Sequence, residues 1–260
     1  MNNRLSAFRK SCFCLLLLTA GGQALADVSE TIERIKPAIV AVGTYNKTSN
    51  PQFNFRGTGF GVGDGSTIAT NAHVVPEILD QENGTTTLAV LYRNGSGEPQ
   101  VRKATLATKD SSHDLALLAI DGPPLPRLTL RDSDKIREGL SVAFTGFPIG
   151  AALGFSPVTH RGMVSAITPI ALPSPTSQRL NEKLAKRLRI GSFNVFQLDA
   201  TAYPGNSGSP VFDLDSGEVI GIINMVFIKG TRESALSQPT GISYALPANL
   251  LQELLQTTRK

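Results

Sequence analysis

The chain has 260 residues, of which 25 are basic and 21 acidic, so its formal net charge at neutral pH is +4. Arg4, Arg9 and Lys10 account for three of the basic residues and lie at the extreme N-terminus, so the rest of the chain is close to neutral. Because nucleic-acid binding usually requires a clear excess of positive charge, this balance argues against a nucleic-acid partner.

The first 26 residues have the three parts of a secretory signal peptide. A basic start is followed by a short apolar run, and the segment ends in a small-x-small motif at Ala24 and Ala26. The alternative is a permanent membrane anchor, but the apolar run is well short of the roughly 20 residues that span a bilayer. We therefore expect cleavage after Ala26, export to the periplasm or the medium, and no integral membrane span in the product.

Both cysteines, Cys12 and Cys14, lie within this leader, so the mature chain of 234 residues contains none. An exported protein could be stabilised by disulfides, but this one must depend on burial and hydrogen bonding alone. Metal sites built on thiolate ligands are excluded for the same reason.

From residue 38 onward the sequence is a series of short apolar runs separated by Gly, Pro, Asn and Asp. Such runs, rich in β-branched and aliphatic residues, predict an antiparallel barrel or sandwich rather than alternating strands and helices. The predicted strands are AIVAVGTY, TLAVLYRNG, VRKATLAT, DLALLAID, LSVAFTGFP, GMVSAI, NVFQLDAT, EVIGIINMVF and GISYALP.

Three segments have the pattern of helices. The first lies at residues 29–35, with Ser29 or Thr31 as its N-cap. The second, at residues 179–190, is basic and has leucines every four residues. The third lies at residues 247–256, with Asn249 as a candidate N-cap and a leucine stripe that we expect to pack on the body of the protein. Between the fourth and fifth predicted strands, prolines in residues 121–139 favour an extended connection between two halves.

Three residues could carry chemistry together. His73 ends the run STIATNAH, Asp114 precedes the run LALLAI, and Ser207 lies in the turn PGNSGSP between two glycines. Each has an ordinary structural explanation when taken alone. Taken together, they are the groups that nucleophilic catalysis needs, since a serine hydroxyl requires an imidazole base and the imidazole requires an acid to orient it. Their order along the chain, His then Asp then Ser, is one of the known orders for this chemistry.

The blocks TNAHVV, HDLALLAID and LDATAYPGNSGSPVFD, followed by GEVIGIINMVF and GISYALP, resemble those of chymotrypsin-fold serine peptidases, and most closely the HtrA/Deg branch of periplasmic proteases. The resemblance covers nearly the whole mature chain. It implies an all-β fold of two six-stranded antiparallel Greek-key barrels, with the active site in the cleft between them, and a C-terminal helix. The corresponding division is residues 27–128 for the first barrel and 129–260 for the second, with a basic helical insertion at 174–192.

The resemblance also implies roles. Ser207 would be the nucleophile, His73 the general base and acid, and Asp114 the orienting carboxylate. The backbone N–H groups of Gly205 and Ser207 would form the oxyanion hole, and no cofactor or metal would be needed. Thr201, Met225 and Val226 would line a shallow pocket for small or medium aliphatic side chains of polypeptide substrates.

The sequence departs from the family pattern at several points. Asn206 stands where zymogen-activated enzymes have Asp, so activation by an internal cleavage is not expected. Ser209 replaces the usual glycine and could crowd the turn. A PDZ domain after the catalytic unit is not expected, and the oligomeric state, monomer or HtrA-like trimer, stays open. Residues 168–193 are longer than expected and could form a lid, a docking surface or a solvated insertion.

The leading prediction is therefore an exported serine endopeptidase acting on unfolded or misfolded envelope proteins. A binding or chaperone-like protein on a peptidase fold, with little or no turnover, is the alternative from another class. A third possibility, a membrane-surface or nucleic-acid module built on residues 179–190, conflicts with the near-neutral charge of the mature chain.

Overall fold

The computed structural model describes residues 27–77, 85–150, 154–169, 193–224 and 241–258. These residues form two α-helices, α1 (Val28–Ile35) and α2 (Ala248–Thr258), and twelve strands. The strands are β1 (Ile39–Asn46), β2 (Phe53–Val62), β3 (Thr67–Asn71), β4 (Thr86–Arg93), β5 (Pro99–Asp110), β6 (Leu115–Ile120), β7 (Ser141–Gly146), β8 (Val158–Pro169), β9 (Asn194–Asp199), β10 (Pro210–Asp213), β11 (Val219–Ile223) and β12 (Ile242–Pro247).

The strands close into two antiparallel barrels of six strands each. The first has the order β1-β2-β3-β6-β5-β4, and the second has the order β7-β8-β9-β12-β11-β10. This confirms the predicted fold class. Each barrel has its own apolar interior, around Val42 and Leu118 in the first and around Phe144 and Leu198 in the second. A third buried cluster contains residues of both barrels, among them Phe60 and Phe212, and joins the two halves.

Strand β2 is absent from the strands that the sequence pattern predicts. Its sequence, FNFRGTGFGV, contains three glycines, which have low strand propensity. Close packing explains them. A Cβ atom on Gly57 would lie 2.6 Å from a methyl group of Val74, and one on Gly61 would lie 2.2 Å from the carbonyl oxygen of Pro126. The strand therefore lacks side chains where other parts of the chain approach it.

Both helices agree with the sequence prediction, but their N-terminal capping differs from it. The N-cap of α1 is Asp27, whose Oδ1 accepts a hydrogen bond from the Ser29 N–H at 2.9 Å. Asn249 lies inside α2, where its N–H donates to Ser133 Oγ at 3.0 Å. Its side-chain Oδ1 accepts in return from the Ser133 N–H at 2.9 Å. A residue distant in sequence thus satisfies a donor at the start of the helix, which a local pattern cannot reveal.

The two terminal helices both contact the second barrel. Helix α2 packs against β5 and β6 of the first barrel and against β11 and β12 of the second, with Leu251 fully buried. Arg34, in α1, donates to the carbonyl oxygen of Ser216 at 2.9 Å. None of the helices in the described ranges is long and apolar enough to cross a membrane.

The chain between the barrels contacts the first barrel, where the Leu128 N–H donates to the Gly61 carbonyl oxygen at 2.9 Å, and then runs along the second barrel. Leu130 forms a parallel bridge with Val219, and Arg131 forms an ion pair with the nearly buried Asp213. The predicted signal peptide, the predicted helix at 179–190 and the insertion at 174–192 lie outside the described residues.

Candidate active site

His73 lies in a short 3-10 turn, Ala72–Val74, directly after β3. The backbone at the end of β3 contacts Asp114, the residue before β6. The Ala72 N–H and the Asn71 side-chain amide both donate to the backbone oxygen of Asp114, at 3.0 and 3.1 Å. The side chain of His73 is about one-third exposed, at 34%, so its ring is accessible to a substrate.

Asp114 comes directly before β6, which pairs with β3 so that Asn71 lies opposite Leu115. This register brings Asp114 beside His73, although 41 residues separate them. Asp114 has a φ of 55°, in the left-handed region, which Asp and Asn adopt more readily than other non-glycine residues. The side chain is mostly buried, with 15% of its area exposed.

Three hydrogen bonds hold the carboxylate of Asp114. His73 Nδ1 lies 2.6 Å from Oδ2, the His73 backbone N–H donates to Oδ1 at 2.9 Å, and the Asn224 amide donates to Oδ2 at 2.8 Å. A carboxylate accepts but does not donate, so the proton of the neutral imidazole is held on Nδ1. His73 Nε2 is then the nitrogen that can accept a proton.

Ser207 lies in the turn before β10, between two glycines with positive φ angles, Gly205 at 104° and Gly208 at 88°. The Thr58 N–H donates to the Ser207 carbonyl oxygen at 2.8 Å. A Cβ atom on Gly57 would touch both that oxygen, at 3.0 Å, and Val74, the neighbour of His73. The serine of the second barrel is thus seated beside the histidine turn of the first.

Within the described part of the chain, no hydrogen bond joins the Ser207 hydroxyl to the His73 ring. The structure therefore connects His73 to Asp114 directly and brings Ser207 next to them without that third link. Hydrogen bonds between catalytic groups are often long in the absence of substrate and shorten when it binds.

The turn presents two backbone donors. The Pro204 carbonyl oxygen accepts from the Ile149 N–H at 2.7 Å, and the Asn206 carbonyl oxygen accepts from the Ser209 N–H at 2.9 Å. In a trans peptide the C=O and N–H point in opposite directions. The N–H groups of Gly205 and Ser207 therefore point away from those partners, and neither donates to another described residue.

Ser209 does not crowd the turn, because it packs against a glycine. Its hydroxyl would lie 2.0 Å from a Cβ atom on Gly146. Asn206 is fully buried nearby, and among the described residues its side-chain atoms and the Ser209 hydroxyl have no hydrogen-bond partner. Asn206 contributes to the turn through its backbone, whose N–H donates to the Tyr203 carbonyl oxygen and whose carbonyl oxygen accepts from the Ser209 N–H.

Thr201, from the predicted substrate pocket, is half-buried just after β9. The other two predicted pocket residues, Met225 and Val226, lie outside the described residues. The predicted preference for aliphatic side chains accordingly stays a prediction.

Sequence reasoning did not identify Thr58 or Asn224, although both contact the site. Asn224 follows β11, and its only sequence signal is a polar residue that interrupts the run EVIGIINMVF. Thr58 lies between two glycines of the strand that the pattern did not predict.

A second His–Asp pair lies beside the first. His113 Nδ1 is 2.6 Å from Asp110 Oδ2, and the His113 ring packs against Phe193 with their centroids 4.9 Å apart. Burial alone would raise the pKa of Asp110, but hydrogen bonds from His113 and from the Ser112 N–H outweigh it and lower the pKa below its ordinary value. This pair belongs to the turn that precedes Asp114.

Comparison with known proteins gives a consistent result. The family described as "Trypsin-like peptidase domain" matches residues 57–222, a span that includes His73, Asp114 and Ser207. The chain is 33% identical over 203 residues to a probable periplasmic serine endoprotease DegP-like of Halomonas elongata, with 78% of this chain and 35% of that protein covered. It is 31% identical over 232 residues to serine protease HTRA1A of Danio rerio, with 88% and 40% covered.

The chain thus spans well under half the length of these two relatives. Among solved structures, the HtrA-type protease AlgW with tripeptide matches with a TM-score of 0.60 at 24% identity, covering 89% of this chain and 63% of that one. At this level of identity the structural match shows a shared fold.

Proposed function

Because the chain belongs to the trypsin-like peptidase family, we propose that it is an exported serine endopeptidase that cleaves polypeptides through an acyl-enzyme on Ser207. The observation that carries the proposal is the 2.6 Å contact between His73 Nδ1 and the Asp114 carboxylate, beside a serine held between two glycines. This arrangement supplies a base, an orienting acid and a nucleophile.

In the acylation step, Ser207 Oγ forms a bond to the carbonyl carbon of the substrate while its proton passes to His73 Nε2. The carbonyl oxygen becomes an oxyanion, which the N–H groups of Gly205 and Ser207 stabilise. Losing one such donor typically reduces kcat by about 10²–10³-fold. Asp114 stays ionised and stabilises the imidazolium.

The intermediate then collapses. The bond from carbon to the amide nitrogen breaks, His73 Nε2 returns its proton to the leaving amine, and the acyl group stays on Ser207 Oγ. In deacylation, a water molecule gives a proton to His73 Nε2 and attacks the ester carbon. The acid product leaves when Ser207 recovers its proton, so the residues are regenerated and no outside reactant besides water is consumed.

We place the protein in the periplasm or outside the cell, with unfolded or misfolded envelope proteins as substrates. The signal-peptide pattern of residues 1–26 supports export. The name of the Halomonas elongata relative, a probable periplasmic serine endoprotease, supports the compartment and supports polypeptides as substrates.

One observation favours a second candidate function, a binding protein with little turnover. The Ser207 hydroxyl makes no hydrogen bond to His73 within the described residues, and without that contact the serine is not activated. The two candidates differ in whether Ser207 reacts with an electrophile.

Labelling with a fluorophosphonate probe tests the proposal, since the probe bonds to activated serines. We expect the purified mature protein to take the label and hydrolyse casein, and Ser207→Ala to do neither. Ser209→Ala is the matched control, because it removes a buried hydroxyl from the same turn and should keep the label. Label retained by Ser207→Ala would show that another residue is the nucleophile. A folded parent with neither label nor hydrolysis would favour the binding protein.

A further inference from the structure

Thr58 is a fully buried residue of β2, in the first barrel, whose polar groups reach the catalytic turn of the second barrel. We propose that Thr58 is a positioning residue for proteolysis and that its hydroxyl holds the turn in the shape that presents both oxyanion donors. This inference rests on the function proposed above.

Four hydrogen bonds converge on Thr58. Its Oγ1 donates to the Gly205 carbonyl oxygen at 2.8 Å and accepts from the Phe147 N–H at 3.1 Å. Its backbone N–H donates to the Ser207 carbonyl oxygen at 2.8 Å. Its own carbonyl oxygen accepts from Thr70 Oγ1 at 2.7 Å.

The bond to Gly205 acts on the middle of the oxyanion turn. The two donors belong to the peptides that end at Gly205 and at Ser207, and the Gly205 carbonyl belongs to the peptide between them. The N–H of this central peptide, that of Asn206, donates to the Tyr203 carbonyl oxygen at 2.9 Å. Because glycine is conformationally permissive, a second bond is needed to hold its oxygen. The buried Thr58 hydroxyl holds it, and its geometry is fixed because the Phe147 N–H can only donate and the Gly205 oxygen can only accept.

The bond from Phe147 extends this control to the neighbouring peptide. Phe147 begins the segment 147–150, in which the Ile149 N–H donates to the Pro204 carbonyl oxygen at 2.7 Å. Ile149 has a φ of 58°, which is strained for a β-branched residue and has to be maintained by its surroundings. Thr58 therefore fixes the Gly205 oxygen directly and contributes, through Phe147, to fixing the Pro204 oxygen.

Thr70 connects the same point to the histidine. It lies in β3, three residues before His73, and is fully buried. Its hydroxyl donates to the Thr58 carbonyl oxygen. Thr58 is therefore bonded both to the strand that precedes the histidine and to the turn that contains the serine. Thr58 thus helps to fix the position of the histidine half of the site relative to the serine half.

Saturation kinetics of fluorophosphonate labelling test the role, because they separate the rate of the chemical step from the affinity for the probe. The variants are Thr58→Val, which keeps the shape but lacks the hydroxyl, and Thr58→Ser, which keeps the hydroxyl. Thr145→Val is the matched control, since Thr145 is also fully buried and its hydroxyl bonds to Thr159 Oγ1 at 2.9 Å rather than to a residue of the turn.

We expect Thr58→Val to slow the chemical step about tenfold or more and to change the probe affinity by less than about twofold. The reason is that the two N–H donors bind the oxyanion that forms in the transition state, and they contribute little to binding the unreacted probe. Thr58→Ser should recover most of the rate. Thr145→Val should lower the melting temperature while keeping the labelling rate.

A Thr58→Val rate equal to that of the parent would overturn the inference. So would a loss of rate that simply follows the folded fraction and appears equally in Thr145→Val. If Thr58→Val does not fold, Thr58→Ala takes its place under the same criteria. A parent that does not label overturns the proposed function and this inference with it, whereas a labelling parent with an unaffected Thr58→Val overturns the positioning role alone.

Discussion

The two barrels hold their parts of the candidate site in different ways. In the first barrel, side chains fix the geometry: Asp114 binds the His73 ring and backbone, and Asn71 binds Asp114. In the second barrel, the backbone fixes it, through the positive φ angles of Gly205 and Gly208 and through carbonyl oxygens bound by N–H groups and by Thr58.

This difference indicates which changes each half tolerates. The first half should be sensitive to changes of functional group that leave the backbone intact. The second half should be sensitive to any Cβ atom added to its glycines, even when no functional group is lost. The following four predictions run from the largest expected effect to the smallest. The first three test this contrast, and the fourth tests the stability of the second barrel.

Asp114→Asn should lower kcat by about 10⁴-fold, because the amide no longer holds the proton of the imidazole on Nδ1. Asn adopts the left-handed conformation of this position readily, so the backbone should not change. Casein or peptide hydrolysis measures the loss. Asp110→Asn is the matched control, since it breaks the neighbouring pair with His113 and should keep most of the activity. Equal losses in both variants would mean that the turn, rather than the catalytic pair, was damaged.

Gly205→Ala should lower kcat by about 10²–10³-fold, equivalent to the loss of an oxyanion donor. The new Cβ would lie 2.3 Å from the Phe147 carbonyl oxygen in a residue with a φ of 104°, so the peptide that carries the donor has to move. Gly139→Ala provides the comparison, because Gly139 has a φ of 90° but a Cβ atom there would meet nothing within 4 Å. It should lose stability, by about 1–2 kcal/mol, and retain activity. Full activity in Gly205→Ala would contradict control by the backbone.

Asn224→Ala should lower kcat/KM by about tenfold, since a hydrogen bond to a charged group is lost from Asp114. This variant tests an exception to the contrast between the two barrels, because Asn224 belongs to the second barrel and yet contacts the site through its side chain. Steady-state kinetics with the same peptide substrate would show the change in kcat. A change confined to KM would instead assign Asn224 to substrate binding.

His160→Phe should reduce the loss of stability in acid, the smallest of the four effects. Burial lowers the pKa of His160 below its ordinary value of 6.5, so the unfolded chain binds the proton more readily than the folded one. The stability that comes from burying the neutral ring is fully present above about pH 6.5. It is lost as the pH falls from there toward the lowered pKa of the folded protein. The ring stacks on Phe144 with centroids 4.9 Å apart, so Phe is a suitable replacement.

Denaturant unfolding between about pH 8 and pH 5 measures this effect. The pKa values of Asp110 and Asp132 are also lowered, but from an ordinary value of 3.8, so their contributions are lost only in stronger acid. An identical pH dependence in the parent and in His160→Phe would show that other groups govern this range.

The sequence was informative where a residue type or a hydrophobic pattern carries the signal. The short apolar runs predicted an antiparallel barrel or sandwich, and the resemblance to HtrA/Deg proteases implied the two barrels. His73, Asp114 and Ser207 were identified as residue types that chemistry requires together. The 2.6 Å contact between His73 and Asp114 was not readable locally, since it depends on the pairing of β3 with β6.

The sequence was uninformative where the reason for a residue lies in a distant part of the chain. The glycines of β2 disguise a strand because Val74 and Pro126 approach it. Thr58 resembles any strand threonine until Gly205 is placed against it, 147 residues away. Ser29, Thr31 and Asn249 were reasonable caps by type, but Asp27 and Ser133 occupy those roles because of where the helices begin and pack.

The position of helix α2 has a consequence for the geometry of the candidate site. It contacts strands of both barrels, and Leu251 fills a space in the cluster that joins them. Since the imidazole and the hydroxyl come from different barrels, their separation depends on the angle between these two bodies, and α2 is one of the elements that sets it. Packing at this helix is therefore coupled, at a distance, to the geometry of the candidate site.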